Sequence, residues 1–98
     1  MPGLCRITDL CTGHDFFEPR SPVVGSPDVL CNGVSVVRVG DPWQIHVRTV
    51  LPFDFHGASG LIGSSTVLCN GLGLMREGDF LDCESRVLTS SPDVICGG

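Results

Sequence analysis

The chain has 98 residues, enough for one small domain, and a formal charge of −5 with only 6 Lys and Arg. That balance argues against nucleic acid or an anionic membrane surface as partner, and no apolar run reaches the roughly 18 residues of a membrane-spanning helix. With 13 Gly, 7 Pro and no sustained helical apolar period, the composition predicts an all-β fold rich in turns.

Met1-Pro2-Gly3 lacks the basic start and apolar block of a signal peptide, so synthesis in the cytoplasm is expected. Residues 4–10 read as a strand, Thr12-Gly13-His14-Asp15 as a turn, and Phe16-Phe17 through Pro22 as a loop. Residues 25–41 then read GSPDVLCNGVSVVRVGD. The pattern returns at 63–79 as GSSTVLCNGLGLMREGD and starts again at 90–98 as SSPDVICGG. The chain therefore holds two full repeat units and a third that stops at its turn, all within one domain spanning residues 1–98.

In each full unit Asn-Gly stands between apolar runs, the strongest short-range signal for a two-residue hairpin. A turn at Asn32-Gly33 pairs Cys31 with Val34 and Val29 with Val36. Because side chains alternate along a strand, one face holds Val29, Cys31, Val34 and Val36. Its counterparts are Val67, Cys69, Leu72 and Leu74 in the second unit and Val94 and Cys96 in the third. These positions are the predicted core. The other face is mixed, with Asp28, Leu30, Ser35 and Val37 matched by Thr66, Leu68, Gly73 and Met75. Arg38 with Asp41, and Arg76 with Asp79, are spaced to pair across the following Gly-Asp turn. At an exposed site such a pair contributes about 0–1 kcal/mol. Between the units, residues 47–51 alternate in polarity like a strand, and Pro52-Phe53-Asp54-Phe55-His56-Gly57 follows.

Six cysteines suggest a disulfide framework, but a reducing cytoplasm disfavours one. Cys31, Cys69 and Cys96 recur at one repeat position, as expected of reduced core thiols around a pseudo-threefold axis. Cys5 and Cys11 lie outside the repeat and receive no role.

The three histidines and one remaining cysteine form a second pattern. His46 is the fifth residue after Asp41 and Cys83 the fourth after Asp79, so the repeat brings both to one end of the molecule. His14 and His56 each precede a unit and enter from approach loops. Histidine and cysteine are the usual ligands of zinc, and structural zinc sites are closed tetrahedra of such groups. The candidate metal set is His14, His46, His56 and Cys83, although its spacing is not that of a zinc finger.

The doubled pattern GSP-x-V-x-x-NG, followed after four residues by R-x-GD, resembles the PAAR-repeat proteins. The resemblance covers residues 14–98. Its Pro-Ala-Ala-Arg tetrapeptide is replaced here by Ser35-Val36-Val37-Arg38 and Gly73-Leu74-Met75-Arg76, which keep only the arginine. The resemblance implies a small cone of β-hairpins with pseudo-threefold symmetry. It also implies zinc near the apex, held by three His and one Cys, which map onto His14, His46, His56 and Cys83.

The function it implies is structural: the tip of a type VI secretion spike or of a contractile phage tail or baseplate. Such a tip caps a trimeric β-helical spike of VgrG or phage central-spike type, one tip per trimer, and sharpens it for membrane piercing. It contacts the target membrane transiently, with effector cargo as a further partner and no nucleic acid. The protein is then exported on the secretion apparatus or built into a virion tail. No catalytic centre is expected, since four protein ligands leave no position for water or substrate. The competing readings are a zinc-dependent hydrolase with an open coordination position and a metal-free adaptor domain.

Overall fold

The computed structural model describes residues 2–13, 18–47 and 55–98, with 46, 47, 55 and 56 described by backbone only. Among the described residues no helix is long and apolar enough to cross a membrane. The strands in chain order are β1 (Leu30–Cys31), β2 (Val34–Ser35), β3 (Pro42–Val47), β4 (Phe55–Ser59), β5 (Leu68–Cys69) and β6 (Leu72–Gly73). They pair as three antiparallel hairpins, β1 with β2, β3 with β4 and β5 with β6.

The Asn-Gly turns set the expected register, with Cys31 opposite Val34 and Cys69 opposite Leu72. Asn32 and Gly33 have φ of 54° and 78°, and Asn70 and Gly71 have 54° and 79°. Both central residues of a type I′ turn need such angles, which Asn tolerates and Gly adopts freely. The predicted outer pair is met by one bond only, Val36 N–H donating to the Val29 carbonyl at 3.2 Å and Leu74 N–H to that of Val67 at 3.1 Å, while the Val29 and Val67 N–H groups donate to Ser26 and Ser64 Oγ.

The third unit is completed from the other end of the chain. Residues 90–98 supply its first half and residues 2–9 its second. Gly3 bridges Ile95 in antiparallel fashion, Cys96 N–H donates to the Pro2 carbonyl, and Leu4 N–H to that of Val94, both at 3.0 Å. Leu4 thereby takes the position of Val36 and Leu74, Cys5 that of Val37 and Met75, and Arg6 that of Arg38 and Arg76. Three equivalent backbone bonds close the ring. Val37 N–H donates to the Cys5 carbonyl at 3.1 Å, Met75 N–H to that of Val37 at 2.9 Å, and Cys5 N–H to that of Met75 at 3.0 Å. Arg38 bridges Leu74, Arg76 bridges Leu4, and Arg6 bridges Val36 in the same cyclic order. Extents of 40 × 23 × 23 Å, with two equal short axes, suit threefold symmetry about the long one.

The core forms two clusters. One gathers Cys31, Cys69 and Cys96, each 5% exposed, with Val36, Leu74 and Leu4. The other holds Cys5, Val37 and Met75 together with Cys11, Trp43, Leu81, Ala58 and Val87. Burial departs from strict face alternation. Val37 and Met75, from the mixed face, are fully buried, whereas Val29, Val67, Leu72 and Val94 from the predicted core face are exposed. The hairpin ladders of the repeat are only two residues long. Past them the chain leaves its own hairpin to pair with the neighbouring units, Val36 bridging Arg6 and Val37 bonding Cys5 and Met75, so consecutive residues such as Val36 and Val37 enter different clusters. All six cysteines are described, and none is in a disulfide.

Each unit carries the same ionic clamp. Asp9, Asp41 and Asp79 pair with Arg6, Arg38 and Arg76, and the aspartate side chains are 4%, 6% and 10% exposed. The backbone N–H of each arginine also donates to its aspartate at 2.8 Å. These are partly buried, forked, charge-assisted contacts, a stronger class than the exposed pair expected from sequence. Hydrogen bonds donated to the aspartates hold all three guanidinium groups above their ordinary pKa. Burial pushes Asp9 upward, but hydrogen bonds from Arg6 and Thr89 outweigh it and its pKa is lowered.

The hairpin turns are clasped to one another. Arg6 Nη1 donates to Asn32 Oδ1 at 3.1 Å and Asn32 Nδ2 to Asp93 at 2.8 Å. Arg38 Nη1 donates to Asn70 Oδ1 at 2.9 Å and Asn70 Nδ2 to Asp28 at 3.0 Å. At the third junction Gly97 and Thr66 stand in place of Asn and Asp. There Ser64 Oγ donates to the Gly97 carbonyl at 2.8 Å, where Ser26 and Ser91 donate to the Asn Oδ1 atoms. The amide and the carboxylate it would hold are absent together, so no carboxylate is left without its clasp.

Candidate metal centre

The segments that leave the ring after Asp9, Asp41 and Asp79 begin alike. Cys11, Trp43 and Leu81 are buried at matching positions and bridge Val87, Pro22 and Gly60 in turn. Beyond these bridges the three segments diverge in length and carry all four predicted ligands. Completion of the third unit by residues 2–9 adds a relation that linear reading missed. His14 is the fifth residue after Asp9, as His46 is after Asp41, so His14, His46 and Cys83 form the threefold series and His56 is the extra member.

The second segment is the β3–β4 arm. Its ladder runs Pro42 opposite Ser59 and Trp43 opposite Ala58, then shifts so that His46 lies opposite His56. The shift is a bulge in which Gln44 and Ile45 together face Gly57. Continued without it, the ladder would set His46 against Phe55. A bulge re-aims the remainder of its strand, and here it makes the two histidines direct cross-strand partners. Such partners have Cβ atoms about 4.5–5.5 Å apart in general.

The third segment is the shortest. Leu81 N–H donates to the Ser85 carbonyl at 2.8 Å and Glu84 N–H to the Leu81 carbonyl at 3.2 Å. Glu84 takes a φ of 74°, uncommon for a residue with a side chain, directly after Cys83. Cys83 is partly buried against the second core cluster. Burial pushes its thiol pKa up, and Cys11 and Asp82 act in the same direction while a backbone hydrogen bond at Ser85 opposes them.

The three segments are tied together pairwise. Gly13 N–H donates to Ser85 Oγ at 2.9 Å, and Thr12 N–H to the Arg86 carbonyl at 2.8 Å. Arg20 Nε donates to the Ile45 carbonyl at 3.2 Å, and Gln44 N–H to that of Ser21 at 2.9 Å. Asp82 N–H donates to the Ser59 carbonyl at 3.0 Å, and Ser59 N–H to Asp82 Oδ1 at 3.1 Å. The residues adjoining His14, His46 and Cys83 are therefore each fixed to a neighbouring segment.

His14 itself lies outside the described residues, and His46 and His56 are described by backbone only. Among the described residues no cluster of three or more His, Cys, Asp or Glu side chains could hold a metal. Sequence reasoning missed Thr12 and Ser85 as the link between the first and third segments, since nothing in their pattern marks them. It also missed residues 2–9, where the spacing from Arg6 to Asp9 repeats that from Arg38 to Asp41 and was a usable signal.

No sequence among curated proteins matches the chain. The family model described as the PAAR motif matches residues 22–89. That span takes in both full repeat units with their hairpins, ionic clamps and the arm between them, and so the chain belongs to the PAAR-motif family, spike-tip-type structural proteins of secretion systems and phage tails.

Proposed function

We propose that the chain is a zinc-bearing tip of a contractile injection device, seated as one copy on the threefold end of a trimeric β-helical spike. The observation that carries this reading is the exposure of aliphatic side chains in matched triplets. Leu30, Leu68 and Ile95 are 62%, 59% and 59% exposed, and Val29, Val67 and Val94 are 40%, 41% and 38% exposed. Equal exposure at three equivalent positions suits a partner that presents three equal faces, and exposed apolar surface that recurs with the repeat is the kind that marks an interaction site. Val37 and Met75, the other apolar members of the mixed face, belong to the core and take no part in the contact.

Zinc fits the residues by their chemistry, three imidazoles and a thiolate. The bulge that pairs His46 with His56 and the bonds that tie the three segments favour the same set. His14, His46, His56 and Cys83 would hold the ion, which when bound supplies a cross-link between segments with little apolar mass of their own. The role is mechanical, and the chain performs no reaction in this reading.

Two measurements test it. Elemental analysis of protein purified without added metal is expected to find one zinc per chain, lost in Cys83→Ser and His56→Ala. Native mass spectrometry of a mixture with the cognate spike is expected to show one chain per spike trimer, abolished by Leu30→Glu with Leu68→Glu. Three chains per trimer, or no complex, defeats the one-to-three seating.

A further inference from the structure

We infer that Ser85 is a positioning residue for the metal centre, latching the segment that leads into His14 onto the loop that carries Cys83. This rests on the proposed zinc set. The Ser85 side chain is fully buried yet polar, and a buried hydroxyl is retained at a cost unless its hydrogen bonds are made. Its bonds are made to one place. Gly13 N–H donates to Ser85 Oγ at 2.9 Å, and Thr12 Oγ1 lies 3.2 Å from the same atom.

Thr12 closes the link from its own side, since Arg86 N–H donates to Thr12 Oγ1 at 3.1 Å and Thr12 N–H to the Arg86 carbonyl at 2.8 Å. The latch thus joins the residue just before His14 to the residue two beyond Cys83. Gly13 has a φ of 69°, a left-handed angle that turns the chain at the point where Ser85 grips it. An apolar core residue would fill the position of Ser85 but leave the Gly13 N–H without its acceptor. A hydroxyl here sets the approach of one ligand-bearing segment to another, as outer partners of metal ligands generally do.

The test compares wild type, Ser85→Ala and a control, Ser26→Ala. Ser26 is equally buried, but its hydroxyl serves the first hairpin. Zinc affinity is measured by chelator competition, and cobalt(II) substitution reports the geometry around the thiolate. Ser85→Ala is expected to bind zinc roughly 10–100-fold more weakly with an altered cobalt spectrum, and Ser26→Ala to keep both while losing thermal stability. Wild-type affinity and spectrum in folded Ser85→Ala overturn the latch, and so does equal weakening in the control. Should Ser85→Ala not fold, Thr12→Val, at an exposed position, takes its place. Weaker zinc binding then supports the latch and unchanged binding overturns it. A wild type that binds no zinc sinks the metal reading itself, and the latch with it.

Discussion

Leu4 tests whether the N-terminal segment is part of the repeat ring. Its side chain is 5% exposed and packs with Cys31, Val36, Cys69, Leu74 and Cys96. Truncation to alanine removes buried methyl groups and leaves a cavity, typically at a cost of about 2–5 kcal/mol. A domain of this length has roughly 5–15 kcal/mol of stability in total. At about 4–8 °C per kcal/mol for a small domain, a loss of about 3 kcal/mol lowers Tm by roughly 12–24 °C. Leu74→Ala, at the equivalent position, is expected to cost a similar amount. Leu10→Ala, at a position 40% exposed, is expected to cost far less. Urea unfolding with chelator present keeps metal binding out of the comparison. The single tryptophan, Trp43, is buried in the second cluster and reports unfolding by fluorescence. If Leu4→Ala behaves like Leu10→Ala while Leu74→Ala is strongly destabilised, residues 2–9 are not the missing half of the third unit.

Other expectations concern thiols and acid. Cys5, Cys11, Cys31, Cys69 and Cys96 are buried, and burial pushes the Cys5 thiol pKa far up. All five are expected to resist a thiol reagent until urea unfolds the chain, with the partly buried Cys83 labelled first in metal-free protein; fast native labelling of any of the five contradicts this core. Asp9 has a folded-state pKa below its ordinary value of 3.8. Its stabilisation is therefore complete above that value and lost as pH falls through the lower, folded-state one. Wild type is expected to lose stability more steeply below about pH 4 than Asp9→Asn, and equal slopes in acid would remove Asp9 from the account.

The local structure of the hairpins is written in their residues. Asn32-Gly33 and Asn70-Gly71 admit the positive backbone angles of a type I′ turn, and that turn sets the register of Cys31 with Val34 and Cys69 with Leu72. The sequence also placed Cys31, Cys69 and Cys96 as equivalents, because a repeat in sequence is a repeat in space. The family was legible for the same reason, since the repeated Asn-Gly and Arg-x-Gly-Asp spacings are the hairpin and its clamp. How the ring closes is set by contacts between the two ends of the chain. Residues 2–9 complete a unit begun at residue 90, and a repeat split between the two ends of a chain is hidden from linear comparison. The choice between Val37 and Val29 for the interior was equally out of reach. Two-residue ladders end before alternation can hold a face, so burial there follows from the pairing of residues 36–38 and their equivalents with the neighbouring units. The pairing of His46 with His56 likewise depends on a one-residue bulge at Gln44 and Ile45. No local preference announces that bulge, which sits where Gln44 and Ile45 are bonded to Ser21 and Arg20 of the neighbouring segment.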